Sequence, residues 1–340
     1  MVRCHAEMKP TRTRLLIEDR PAAYHVVSRT ACQAFLFSDL EKEAFRRALR
    51  KQAEFAGIEV LTYCVMSNHF HLLVRVSPID SLPDAELLAR YSAYYGESKV
   101  PQSTYSVAEL REILNKGGRN AEIARQRVLA RMGHLPSFMR ELKQRFSIWY
   151  NHKHETQGTI WSARYKSLLV EDSPESLTKV AAYIDLNPVR AEIVDDPKDY
   201  RWCGYAEAIA GGASAQAGIR RLFGQLRDYN TSMRSYRLIL YGIGYRAKGT
   251  PGKDRGRIRA AVLAAIEKRD GSIPLSDLLL ARVRYFTDGM VLGSEAFVSQ
   301  QFRENRDAFG ARRKQAGQAL AGACWDGLHI MRDLQRRVYS

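Results

Sequence analysis

The sequence predicts an α+β protein built on an antiparallel sheet, followed by an all-helical C-terminal region. Three observations predict it. The chain up to Val76 reads strand, helix, strand, strand. The last two of these strands are separated by only two turn-forming residues, which makes them an antiparallel hairpin. Beyond about residue 220, apolar residues recur at helical spacing in short runs.

The elements follow in order. In AAYHVVSRT, Tyr24, Val26 and Ser28 alternate with His25, Val27 and Arg29, as a strand requires. A helix follows, with Ser38 as N-cap, Glu41 three residues later and Gly57 as its stop. The hairpin comprises Glu59 to Met66 and His69 to Val76, turning at Ser67 and Asn68. From Ser77 to Met132 the pattern is helical but interrupted, and reads as an insertion at about 78–132. A stronger helix runs from Pro136 to His152, with Phe138, Leu142, Phe146 and Trp149 at core spacing. GTIWSARYKSLLVED is expected as a strand that sets Arg164 and Lys166 side by side on one face. The next helix opens with Ser173 as N-cap and Pro174 at its first position, and ends at Asn187 because Pro188 disfavours continuation.

Residues 206–220 are rich in small residues and read as a linker between a domain spanning 1–205 and a helical domain spanning 221–340. Within the latter, Ser294 caps a helix reaching to about Asn305, and FTDGMVLGS before it suggests a helix-turn-helix in outline. Basic clusters at Arg255 to Arg259 and Arg312 to Lys314 favour phosphate contact, against the alternative of solvated faces.

Charge narrows the partner. Lys and Arg number 53 against 37 Asp and Glu, a formal net charge of +16, which favours a polyanion. No apolar run is long enough to cross a membrane, and the basic N-terminus lacks the apolar stretch of a secretory signal, so a cytoplasmic location is expected. Five scattered cysteines without a CxxC pair are expected as reduced thiols rather than a zinc site or disulfide framework. No GxxxxGK[ST] phosphate loop occurs.

Two constellations carry chemistry. His69 and His71, two apart on a strand, leave it on the same face and could hold a metal. An oxygen-rich third ligand would suit Mg²⁺ or Mn²⁺ for work on a phosphate. Tyr183 and Asn187 lie one helical turn apart; a phenolate can attack a phosphodiester while the Asn187 side-chain oxygen completes the metal site. Taken singly, the histidines are ordinary strand residues and Tyr183 an ordinary core tyrosine. Their joint occurrence on a basic chain favours the site. Candidates to grip a polyanionic partner are Arg29, Trp161, Arg164, Lys166 and Arg190, with Trp161 either a stacking platform or core.

HVVSRT, VMSNHFHLLVRV, GTIWSARYKS and YIDLNPVRAEIV together resemble the REP-associated tyrosine transposases, within the IS200/IS605-like single-tyrosine HUH family. The resemblance covers roughly Leu15 to Tyr205. It implies a ferredoxin-like α+β sandwich whose central antiparallel sheet carries the histidines. His69, Phe70 and His71 then form the HUH element, Tyr183 is the nucleophile, and Asn187 is the third ligand of Mg²⁺ or Mn²⁺. Tyr63, Tyr150 and Tyr165 lie in matching segments too, and Asn187 is the reason to prefer Tyr183. The implied substrate is single-stranded DNA at a hairpin or repeat, cut through a 5′-phosphotyrosine intermediate. Related enzymes occur as dimers and as monomers, so both a homodimer and a monomer stay open. The competing readings are a non-enzymatic regulator that binds nucleic-acid hairpins, its HUH site inactive, and a metal-dependent phosphodiesterase using water.

Overall fold

The computed structural model describes residues 14–96, 105–224, 227–241, 279, 285–309, 313–320 and 325–332. The cluster Arg255 to Arg259 and Arg312 lie outside these residues. No helix among the described residues is long and apolar enough to cross a membrane.

The sheet begins with β1 (Ala22–Arg29), β2 (Ile58–Val65), β3 (His69–Val76) and β4 (Lys166–Val170). They stand in the order β2-β3-β1-β4, and every neighbouring pair is antiparallel. With α1 (Asp39–Ala56) between β1 and β2, and α5 (Leu135–His154) between β3 and β4, this is the ferredoxin-like arrangement. Local signals behave as their chemistry demands. Ser38 and Glu41 form a capping box at the start of α1, and Gly57 ends it in the left-handed region at φ 64°. Among the described residues between β3 and α5 lie three helices: α2 (Asp84–Tyr95), α3 (Val107–Lys116) and α4 (Gly118–Leu129).

Alternation divides each strand between two cores. One face sends Tyr24, Val26, Phe70 and Leu72 against Phe45, Leu49, Phe138 and Phe146 of α1 and α5. The opposite face sends Ala23, Cys64, Leu73 and Leu168 against α6 (Pro174–Asp185), which carries Val180, Tyr183 and Ile184. The histidine pair lies on this second face.

Several expectations change. The strand expected across GTIWSARYKSLLVED is confined to β4, because Trp161 turns into the first core and its indole Nε1 donates to the Lys143 carbonyl at 3.1 Å. The helix of Tyr183 breaks at Leu186. Asn187 opens a separate turn, α7 (Asn187–Arg190), in which Pro188 needs no N–H partner. Residues 206–220 are not a linker: they fall in α8 (Gly204–Ile209) and α9 (Ala213–Leu222), and α9 lies on β2. Its small residues serve close packing, since a Cβ on Gly218 would stand 2.3 Å from the Leu61 carbonyl oxygen.

A further change concerns the C-terminal region. It contains helices, as expected: α10 (Tyr229–Tyr241), α11 (Tyr285–Asp288) and α12 (Glu295–Glu304). It also contributes β5 (Gly289–Gly293), β6 (Gln318–Ala319) and β7 (His329–Arg332), so it is not all-helical. β5 pairs in parallel with β4 and extends the sheet to seven strands, β2-β3-β1-β4-β5-β7-β6. GMVLG is short and wholly apolar, which suits a strand buried on both faces, and short apolar runs do not separate strand from helix by periodicity. Ser294 does cap α12, accepting from the Phe297 N–H at 3.2 Å, but a strand precedes that helix where a helix-turn-helix needs a turn. Cys64 and Cys203 are free and buried, whereas Cys32 is disulfide-bonded, contrary to the expectation of five reduced thiols.

Candidate functional site

The register of the sheet assembles the site. Val27 stands opposite His71, Arg29 opposite His69, and His25 opposite Leu73. Residues directly opposite in an antiparallel pair share a face. His25, Arg29, His69 and His71 therefore project together, and Lys166, opposite Val27 on β4, joins them. α6 lays Tyr183 across this face, its ring 6.0 Å from that of His71 and 6.2 Å from that of His25.

His71 is buried, and its Nδ1 lies 2.8 Å from Nε2 of His25. Nδ1 of His25 lies 2.9 Å from the carbonyl oxygen of Phe286 in α11. Burial away from water pushes both imidazoles down, His25 to about 4 and His71 well below its usual range, so both are neutral at pH 7. Neutral imidazole is the form that binds metals. His69 sits closer to solvent, with Nδ1 at 2.6 Å from Oδ1 of Asn68 and its ring 5.2 Å from that of His71.

Tyr183 is 3% exposed. Phe286 packs on its ring at 4.8 Å, and the Arg190 guanidinium lies over the ring at 4.1 Å. The other tyrosines of the matching segments go elsewhere. Tyr63 donates to Glu207 at 2.7 Å, Tyr150 stacks on His154, and Tyr165 lies beneath Arg14. Among the described residues, Tyr183 is the tyrosine whose ring meets the histidines.

Asn187 is buried, and its Nδ2 has no hydrogen-bond partner. A buried amide left unsatisfied in this way is open to a ligand or ion. Imidazole nitrogens and an amide oxygen are donor types that suit a divalent cation, and His69, His71 and Asn187 could supply them, the last with its amide turned to offer the oxygen. Among the described residues, no three His, Cys, Asp or Glu side chains form a metal-holding group.

The DNA-contact candidates separate. Arg29 and Lys166 stand on the histidine face, with Lys166 exposed and 3.8 Å from Asp288. Arg164 is exposed, but it precedes β4 and so shares no strand face with Lys166. Trp161 is 7% exposed and packed edge-on against Phe37, Phe45 and Phe70, so it offers no face to a base. Arg190 donates to the carbonyls of Leu279 at 2.6 Å and Tyr183 at 3.0 Å, which commits it to holding the end of α6.

His25 and Phe286 are the residues the sequence reading missed. A histidine between Tyr24 and Val26 in an apolar strand, two positions from Val27 on the face opposite the aromatic core, was the available signal for His25. Nothing in the sequence connects Phe286 to it.

Residues 20–105 match the family model described as Transposase IS200 like, and this stretch holds His25, His69 and His71. Tyr183, Asn187 and the whole C-terminal region lie outside it. No curated protein matches the chain. Among solved structures, a REP-associated tyrosine transposase bound to a REP hairpin is similar over 60% of this chain and 87% of its own, at 16% identity and a TM-score of 0.36. A transposase candidate from Deinococcus radiodurans R1 is similar over 60% of this chain and 98% of its own, at 16% identity and a TM-score of 0.23. The fold assignment rests on the strand order described above.

Proposed function

We propose that the protein is a metal-dependent, single-tyrosine DNA endonuclease and strand transferase acting on single-stranded DNA at hairpins or repeats. The observation that carries this reading is the packing of Tyr183 against His71 on the sheet face that also presents His69, within a chain whose histidine strands match an IS200-like transposase model.

In the proposed reaction, the Tyr183 oxygen attacks the scissile phosphorus in line. A tyrosine O–P bond forms, the P–O3′ bond breaks, the 3′-oxygen leaves as a hydroxyl after taking up a proton, and the phenol proton passes to solvent. Strand transfer is the reverse attack by a DNA 3′-hydroxyl on the phosphotyrosine, so no nucleotide hydrolysis is needed. Mg²⁺ or Mn²⁺, held by His69, His71 and Asn187, would polarise the scissile phosphate and stabilise charge on its oxygens. Burial keeps His71 neutral and available as a ligand. Arg190, bonded to the Tyr183 carbonyl, holds the helix end that sets the phenol's position. Arg29 and Lys166 give the same face a positive rim to track the DNA backbone.

The test is covalent trapping: labelled hairpin DNA with a single-stranded foot, incubated with Mg²⁺ or Mn²⁺ and resolved on a denaturing gel. Wild type is expected to give a protein–DNA adduct that Tyr183→Phe and His71→Ala both lose. Tight binding with no adduct across several hairpins and both metals would favour a non-enzymatic hairpin binder, and cleavage surviving Tyr183→Phe would favour a water nucleophile.

A further inference from the structure

We infer that the C-terminal region completes the site: the Phe286 carbonyl, acting through His25 as a positioning residue, fixes His71 in the Nδ1–H tautomer and leaves its Nε2 lone pair for a metal. The inference rests on the metal reading above for its second half only.

The argument follows from what each atom can do. A carbonyl oxygen only accepts, so the 2.9 Å contact requires His25 Nδ1 to carry the proton. Neutral imidazole has one N–H, so Nε2 of His25 must then be an acceptor. At 2.8 Å from it, Nδ1 of His71 must donate. His71 is thereby left with an unprotonated Nε2, the state a metal ligand requires. Enclosure supports the premise of neutrality, since His25 is 1% and His71 3% exposed.

This relay depends on tertiary structure far from the histidines in sequence. Phe286 belongs to α11, which β5 anchors beside β4 by parallel pairing at Leu169–Val291 and Val170–Leu292. The same segment packs the Phe286 ring on Tyr183, with Trp325 behind it at 5.8 Å. Leu279 supplies the carbonyl that receives Arg190. Three contacts from beyond residue 278 thus converge on His25, Tyr183 and Arg190, all outside the stretch of chain that the family model matches except His25.

The experiment reads the tautomer directly. Full-length protein labelled with ¹⁵N-histidine is examined metal-free by long-range ¹H–¹⁵N correlation, with the His71 signals assigned by their loss in His71→Gln. Both His25 and His71 are expected as Nδ1–H tautomers. A His71 found as the Nε2–H tautomer overturns the inference. Mn²⁺ uptake, followed by electron paramagnetic resonance, supplies the second readout. His25→Leu is expected to weaken it by about 10–100-fold, and His25→Gln, which keeps an acceptor near the position of Nε2, to restore most of it. Equal Mn²⁺ affinity in wild type and folded His25→Leu overturns the positioning role. The expected tautomers in a wild type that takes up no Mn²⁺ would uphold the relay and overturn the metal reading on which the second half rests.

Discussion

Asp185 makes stability depend on pH in a direction opposite to that of most carboxylates. It lies two residues beyond Tyr183, wholly enclosed, and accepts from the Thr62 hydroxyl at 2.8 Å, the Tyr236 hydroxyl at 2.5 Å and the Tyr205 N–H at 3.2 Å. Desolvation by burial outweighs these three donors and pushes its carboxyl up from an ordinary 3.8 to about 7. Between those values the folded state holds the proton and the unfolded chain releases it, so stability falls as pH rises from about 4 through about 7. A displacement of this size corresponds to about 4 kcal/mol at alkaline pH, of which about 2–3 kcal/mol is lost between about pH 5 and about pH 8. Asp185→Asn removes the charge while keeping an oxygen for Thr62 and Tyr205 and an N–H for Tyr236. Urea unfolding of wild type and variant at both pH values isolates the group, because other titrations cancel in the difference. The variant is expected to gain about 2–3 kcal/mol on wild type between the lower and the higher pH. A difference between the two proteins that stays constant to within about 0.5 kcal/mol would refute the reasoning.

Other perturbations have equally definite outcomes. Trp161→Ala empties the centre of an aromatic cluster and is expected to cost about 3–5 kcal/mol in chemical denaturation, with hairpin affinity of the folded protein unchanged; weaker DNA binding at unchanged stability would return Trp161 to a stacking role. Gly218→Ala drives a methyl into the Leu61 carbonyl and should destabilise the protein by about 1–3 kcal/mol, so an unchanged melting temperature would show that α9 is not seated on β2 as described. Tyr183→Phe should fold with wild-type circular dichroism while losing the covalent adduct, and an adduct that persists would move the nucleophile to another residue.

Local chemistry made much of the N-terminal half legible in the sequence. Period-two alternation located β1 and β3 and put His69 and His71 on one face, because that spacing is a property of the strand itself. Capping residues marked α1 and α6 for the same local reason, since Ser38 and Ser173 act on backbone groups within the next turn. The spacing of Tyr183 and Asn187 reads as one turn of a single helix, but Leu186 divides that stretch into two helical segments.

What the tertiary structure decided was everything that depends on which distant surfaces meet. Trp161 could stack on a base or fill a core, and only the convergence of Phe37, Phe45, Phe70 and Phe146 around it made it core. The small residues of 206–220 look like a linker in composition. They become a tight helix–strand contact once Leu61 lies beneath Gly218. GMVLG has no period to read, and becomes a strand because β4 offers it an open edge. The bond from Phe286 to His25 spans 261 residues, and no local preference encodes it. The sequence determined by itself which side chains stand on the face of the sheet, because strand geometry acts over two residues. Only the folded chain determined what covers that face and which nitrogen of His71 bears its proton, because burial and hydrogen bonding are set by partners remote in sequence.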